Sequence, residues 1–248
     1  MLKTIICGIN GKIGSLVYET VIKNGHQVVS GIDKKTVSQV DCPVYSSFYQ
    51  VKEFADVIID FSSPTCLNEL LDYANKNKIP LVIGTTGYSN LQEKQIAETS
   101  KTIPIFKSAN TSLGVNLLLQ LCKIATSTLN GFDVEIVEKH HKYKKDSPSG
   151  TSKMILNSIC EANKIQNYPV YGRNGKEIRK PAEIGIHSLR GGTVVGEHSV
   201  YFFGENETIT ITHTATSKQL FAFGALKAAE FIISKDVGLY NMDNLLSI

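Results

Sequence analysis

Over the first 110 residues, short continuous apolar runs at 2–7, 26–32, 56–61, 80–84 and 103–107 alternate with stretches of helical period. Leu16, Val17, Val21 and Ile22 mark the first such stretch. Leu67, Leu70, Leu71 and Ala74 line the second, which opens near Pro64, and a third covers 90–100. Unbroken apolar strands separated by amphipathic helices predict a parallel sheet covered on both faces. Ligands of such sheets lie at the carboxyl ends of the strands. The loops there would be 8–14, Asp33-Lys34, Phe61-Ser62, Gly84-Thr85-Thr86 and Ser108-Ala109-Asn110-Thr111, forming one continuous edge.

The texture then changes. Residues 113–129 form a long apolar helix that reads as a connector between halves. Strands are predicted at 132–139, 183–190, 193–203 and 207–214. Several alternate apolar with polar positions, as Ile209 and Ile211 do against Thr210 and Thr212, which marks a sheet with unlike faces. The polar stretch 163–180 reads as a long loop, and 219–233 as a helix returning to the first domain.

Two segments carry candidate chemistry. The first apolar run leads into Gly8-Ile9-Asn10-Gly11-Lys12-Ile13-Gly14. Glycines at 8, 11 and 14 permit a tight turn, backbone approach to a pyrophosphate and close helix packing. The spacing G-x-x-G-x-x-G is less common than G-x-G-x-x-G, so context carries the reading. A strand precedes and a helix follows, and Asp33 closes the next strand, placed to accept hydrogen bonds from an adenosine ribose. The fold class predicted is therefore α/β: a Rossmann-type parallel-sheet domain, plus an α+β domain with an open mixed sheet. Residues 1–112, completed by a C-terminal helix 219–248, make the dinucleotide-binding domain, and 113–218 make the second.

The other segment is Glu138-Lys139-His140-His141-Lys142-Tyr143-Lys144-Lys145-Asp146-Ser147-Pro148-Ser149-Gly150-Thr151. Histidine has the side-chain pKa nearest neutrality, and lysine brings a mobile positive charge with three donors. Pro148 and Gly150 break regular structure, and Thr151 is placed to cap the periodic run Met154, Ile155, Ile159. A helix start beside His and Lys suits a carboxylate or a phosphate. The plainer alternative is a solvated basic loop.

Composition narrows the field. A formal charge of +3 over 248 residues is too mild for a nucleic-acid partner, there being no basic stripe interleaved with aromatics. Five scattered cysteines without a C-x-x-C pair read as reduced residues of a cytosolic protein. No apolar run reaches membrane-spanning length, and the chain opens on a strand rather than a signal sequence, so no membrane partner is expected. Adjacent histidines on a strand face opposite ways, and no third ligand has zinc-site spacing, so no metal is expected. His26, just before a strand, reads as a surface residue, and His187, His198 and His213 as structural, although His187 and Arg190 could reach a substrate.

With these motifs the chain resembles the 4-hydroxy-tetrahydrodipicolinate reductase (dihydrodipicolinate reductase) family of diaminopimelate and lysine biosynthesis. The family pattern E-x-H-H-x-x-K-x-D-x-P-S-G-T is met by Glu138, His140, His141, Lys144, Asp146, Pro148, Ser149, Gly150 and Thr151. Further motifs are met by the glycine loop, by Gly84-Thr85-Thr86-Gly87, by Asn110 and by Arg190-Gly191-Gly192 through Gly196-Glu197-His198. Thr111 departs from the pattern, standing where the family usually has an aromatic beside the nicotinamide. Lys12 replaces a frequent arginine, and Ser147 a frequent alanine.

The resemblance implies NADH- or NADPH-dependent reduction of a small cyclic dicarboxylate by a cytoplasmic homotetramer assembled through the second-domain sheets. It implies that His140 is the general acid and Lys144 a second donor. His141, Gly150 and Thr151 would hold a substrate carboxylate, while Glu138 and Asp146 orient cations. Gly8, Ile9, Asn10, Gly11, Lys12, Ile13, Asp33, Lys34, Gly84, Thr85, Thr86, Ser108, Ala109, Asn110 and Thr111 would hold the cofactor. Asp33 favours a free ribose 2′-hydroxyl, whereas Lys34, Lys35 and Lys12 favour a 2′-phosphate, so both cofactors should serve. A reductase of another imine or carbonyl compound, or a dinucleotide sensor without turnover, are the alternatives. Against the sensor stand both proton donors.

Overall fold

The apolar runs of the first 110 residues form strands of one sheet. In chain order these are β1 (Lys3–Cys7), α1 (Gly14–Lys23), β2 (Gln27–Ile32), β3 (Val44–Tyr45), β4 (Val57–Asp60), α2 (Leu67–Asn77), β5 (Leu81–Ile83), α3 (Asn90–Thr99) and β6 (Pro104–Lys107). There follow α4 (Leu113–Thr128), β7 (Asp133–His140), α5 (Gly150–Ala162), β8 (Tyr168–Tyr171), β9 (Glu183–Arg190), β10 (Gly196–Phe203) and β11 (Thr208–Ala215). The chain closes with α6 (Gln219–Ile232), β12 (Gly238–Tyr240) and α7 (Met242–Leu246). This computed structural model describes residues 1–36, 39–163 and 168–247. They fall into two units, Met1–Leu113 with Lys218–Ile248, and Gly114–Ser217.

The first unit holds a seven-stranded sheet in the order β12-β6-β5-β4-β1-β2-β3, parallel throughout. Successive residues of each strand feed opposite layers, as the two-residue period requires. Ile5, Ile58 and Leu81 pack with Leu67, Leu70, Ala74 and Ile96, whereas Ile6, Ile59 and Val82 pack with Val17, Val21, Leu226 and Ala229. The strand order reverses at β1, and the glycine loop leaves the sheet there. Gly14 is forced by packing, since a Cβ on it would lie 1.9 Å from the Gly8 carbonyl oxygen. Gly8 has φ near +80° and no room for a Cβ beside the Phe61 carbonyl.

The second unit is a mixed sheet in the order β11-β10-β7-β9-β8. β7 pairs antiparallel with β10 and parallel with β9. Val134, Ile136, Ile184, Ile186, Val200 and Phe202 face Leu118, Cys122, Ile155 and Ile159 of α4 and α5. The same parity on β7 continues to Glu138 and His140, so the core face ends in a polar cluster.

Several expected boundaries differ. The stretch 163–180 is not all loop, because Tyr168–Tyr171 pairs with β9; residues 164–167 lie outside the described residues. β10 begins at Gly196 rather than 193, since Gly192 and Thr193 form a turn. The C-terminal segment is not one helix. Ser234-Lys235-Asp236 break the apolar period, Gly238–Tyr240 adds a parallel strand to β6, and Asn241 caps a short final helix through the amides of Asp243 and Asn244. Ile248 lies outside the described residues.

Candidate active site

At the carboxyl end of β7 the strand register assembles a charged cluster on the core face. Glu138 stands opposite His198 of β10 and Ser188 of β9, and His140 opposite Arg190. The Glu138 carboxylate is fully buried. Its Oε2 lies 2.5 Å from His140 Nδ1 and accepts from Arg190 Nη1 at 2.7 Å. Its Oε1 accepts from Arg190 Nη2 at 2.7 Å and from the Ser149 amide at 3.2 Å. Burial alone would raise this carboxyl's pKa. The hydrogen bonds from Arg190, His140 and Ser188 outweigh that and hold it down at about 2. For His140 burial is the larger influence and lowers the pKa, against the opposing pull of the Glu138 carboxylate.

Lys144 lies beyond a turn in which its amide donates to the His141 carbonyl. Its ammonium donates to both oxygens of Asp146 at 2.8 Å, and this contact lowers the Asp146 pKa. Arg190 Nη2 also donates to the Asp146 carbonyl, tying this loop to β9.

The helix that follows is capped by Ser149 rather than Thr151. Ser149 takes the extended conformation before the first helical residue, and its Oγ accepts from the Ser152 amide; Thr151 is already inside α5. Ser149 Oγ also lies 2.9 Å from His198 Nε2. His198 packs edge-on against the His140 ring, with centroids 5.2 Å apart, and its pKa is lowered to about 4, chiefly by burial. The structure thus places His140 at the end of β7, His141 and Lys144 in the loop that follows, and Gly150 and Thr151 in the first turn of α5. It adds Arg190 and His198, whose roles no single-strand pattern reveals because they come from cross-strand register. The signal that was available is Glu138 two residues before His140, hence on the same face.

In the first unit the glycine loop runs beside the end of β2. The Asn10 amide donates to Asp33 Oδ2 at 3.1 Å, the Asn10 side chain donates to the Lys35 carbonyl, and the Lys35 amide donates to Asp33 Oδ1. Lys12, Lys34 and Lys35 are exposed. Thr85 Oγ1 accepts from the Ser62 amide at 2.8 Å, and the Ser108 hydroxyl donates to the Asn110 carbonyl. Thr111 is buried and its hydroxyl donates to the Phe221 carbonyl at 2.7 Å, so this side chain is committed to α6. No sequence motif singles out Asp60. Buried at the end of β4, it accepts from the Ser62 hydroxyl at 2.5 Å and from Tyr88 at 3.3 Å, joining two loops of this edge. Its signal was that of Asp33, an acid closing an apolar strand. Among the described residues no group of three or more His, Cys, Asp or Glu is placed to hold a metal ion, and no helix is long and apolar enough to cross a membrane.

Comparison with known proteins divides the chain near residue 112 and, unlike the two compact units, leaves the C-terminal segment with the second part. Residues 2–111 match the family described as dihydrodipicolinate reductase, N-terminus, and residues 114–246 the corresponding C-terminus. The chain is 52% identical over 248 residues to the 4-hydroxy-tetrahydrodipicolinate reductase of Caldanaerobacter subterraneus subsp. tengcongensis, covering 99% of this chain and 98% of the relative. It is 44% identical to the enzyme of that name from Clostridium tetani, over 100% of this chain and 98% of that one. Among solved structures it is similar to a dipicolinate-bound dihydrodipicolinate reductase from Paenisporosarcina sp. TG-14, with a TM-score of 0.82 and 26% identity over 98% of this chain and 99% of that one. An amine dehydrogenase from Mycobacterium smegmatis, at 10% identity and a TM-score of 0.61 over 98% of this chain and 95% of that one, shares the fold.

Proposed function

This chain belongs to the dihydrodipicolinate reductase family, and on that footing we propose that His140 protonates the substrate while Lys144 steadies its developing charge. The protein is an NAD(P)H-dependent oxidoreductase that reduces 4-hydroxy-tetrahydrodipicolinate to tetrahydrodipicolinate in diaminopimelate and lysine biosynthesis. In net terms the substrate gains one hydride and one proton and loses its hydroxyl as water.

The glycine loop fits a dinucleotide: Gly8 and Gly14 have no room for a Cβ against the chain's own backbone, so the loop turns tightly from β1 into the start of α1, and exposed Lys12, Lys34 and Lys35 flank it. We assign Gly8 to Ile13, Asp33, Lys34, Gly84 to Thr86 and Ser108 to Thr111 to this site, Thr111 through its backbone. The reduced nicotinamide supplies the hydride when bound. Everything else falls to side chains of the second unit. The observation that carries the reading is a histidine held by a buried carboxylate, at the end of the strand from which the chain runs through Lys144 to the start of α5. His140 donates the proton that the hydride acceptor requires. Lys144, anchored by Asp146, supplies positive charge near that atom. His141 and the first turn of α5, at Gly150 and Thr151, take a substrate carboxylate.

The reading is tested by following reduced-nicotinamide oxidation with enzymatically generated hydroxy-tetrahydrodipicolinate. Pyridine-2,6-dicarboxylate should compete, and pyridine monocarboxylates should be far weaker, because a site that pairs two carboxylates is left unsatisfied by one. Equal inhibition by both would point to a different substrate. We further propose a cytoplasmic homotetramer assembled through the sheet face that α4 and α5 leave uncovered, where Tyr201 stacks on Phe203. Light scattering should give four chains per particle, and a stable monomer would contradict it.

A further inference from the structure

We infer that Glu138 and Arg190 are positioning residues that lock His140 into one tautomer, so that its proton always leaves from Nε2. This rests on the assignment of His140 as proton donor, but its chemistry is decided by counting donors. The Glu138 carboxylate meets Arg190 Nη1 and Nη2, the Ser149 amide and His140 Nδ1. Guanidinium and amide nitrogens can only donate, and an ionised carboxylate can only accept. His140 Nδ1 must therefore carry hydrogen whether the ring is neutral or charged. The neutral ring keeps its lone pair on Nε2, and the charged ring adds the mobile proton there.

Arg190 is what makes a bare carboxylate tolerable at this depth. A buried anion with histidine as its sole partner would be costly, and the two guanidinium bonds offset that cost. Arg190 is itself fixed by donating to the Leu189 and Asp146 carbonyls. Nε2 has a clear flank because residue 196 is glycine: a Cβ there would stand 3.1 Å from it.

The proton step then balances without disturbing the dyad. The Nε2–H bond breaks, its electron pair stays on Nε2, and the proton joins the substrate atom that holds the π electron pair displaced when the hydride forms its new C–H bond. The nicotinamide is oxidised by two electrons and the substrate reduced by two. Glu138 keeps its charge and its bond to Nδ1–H throughout, and solvent returns a proton to Nε2.

The groups that set His140's charge are Glu138 on β7, Lys144 and Asp146 in the following loop, Arg190 on β9 and His198 on β10. Two substitutions among them should act with opposite sign. A general acid works while protonated, so kcat/KM falls as pH rises through its pKa. Glu138→Gln removes the anion that favours imidazolium and should move that fall to lower pH by about one unit or more. Arg190→Gln removes an opposing cation and should move it to higher pH. Both variants would lose turnover if the residues merely supported the fold, but the limbs would not separate.

The direct measurement is nitrogen NMR of the full chain labelled with 15N-histidine, with the His140 signals identified by their absence in His140→Gln. The wild-type neutral ring should show a protonated Nδ1 and a bare Nε2. A protonated Nε2 with bare Nδ1, or limbs that shift the same way in the two variants, overturns the proposal. The wild-type spectrum decides the tautomer even if neither variant folds. If His140→Gln keeps turnover, the proton-donor reading fails while the tautomer result still stands.

Discussion

Lowering the pH should weaken the second unit through His198. Its ring is 4% exposed, Nε2 is taken by Ser149 Oγ at 2.9 Å, and Nδ1 is buried without a hydrogen-bond partner among the described residues. Burial, reinforced by the charge on His140, lowers its pKa from 6.5 to about 4. The unfolded chain therefore binds a proton that the folded chain refuses between those two values. Stability from this group is complete above pH 6.5, erodes as pH falls, and stops eroding below about 4. A gap of about 2.5 units at 1.36 kcal/mol each sets a ceiling of about 3 kcal/mol, of which about 2 kcal/mol is lost between pH 7 and pH 5. The chain has no tryptophan, so urea unfolding is best followed by far-UV circular dichroism. His198→Asn should be less stable than wild type at pH 7 but lose about 2 kcal/mol less on going to pH 5. Identical losses in the two proteins would refute the reasoning.

Gly196→Ala should lower kcat by at least about tenfold with little change in stability, since its Cβ would press on His140 Nε2; wild-type kcat would show that flank to be idle. Gly14→Ala should cost about 1–3 kcal/mol or more in thermal unfolding, its Cβ having to displace the Gly8 carbonyl. Gly150→Ala, whose Cβ meets nothing within 4 Å, should be neutral or slightly stabilising in the same assay. Asp33→Ala should shift the kcat/KM ratio toward NADPH, and Lys34→Ala toward NADH. Wild-type rejection of either cofactor by more than about a thousandfold, roughly 4 kcal/mol, would contradict the balance of charges.

Much of the first unit was legible because its strands are continuous apolar runs and its helices carry clear periods. What escaped was short or lay at an edge. Val44–Tyr45 and Gly238–Tyr240 offer too few residues for any period to register, and Tyr168–Tyr171 joins the sheet beside a largely polar stretch. Ser149 and Thr151 both qualify chemically as the helix cap, and the backbone turn decides for Ser149. At the site, the segment from Glu138 to Thr151 announced its proton donors and helix start. The sequence could not announce that Arg190 and His198 close over Glu138 and His140, since β9 follows β7 after the 42 residues 141–182 and β10 pairs from the other side. Nor could it show that Thr111 turns inward to the Phe221 carbonyl.

The most direct test of the account compares wild type with His140→Gln, measuring kcat on enzymatically generated hydroxy-tetrahydrodipicolinate and, separately, nucleotide affinity by fluorescence titration. Losing a general acid should lower kcat by roughly 10²–10⁴. Nucleotide affinity should stay unchanged, because His140 belongs to the second unit and the glycine loop to the first. Turnover near the wild-type rate in His140→Gln would contradict the central claim, and a change confined to KM would make His140 a binding residue instead.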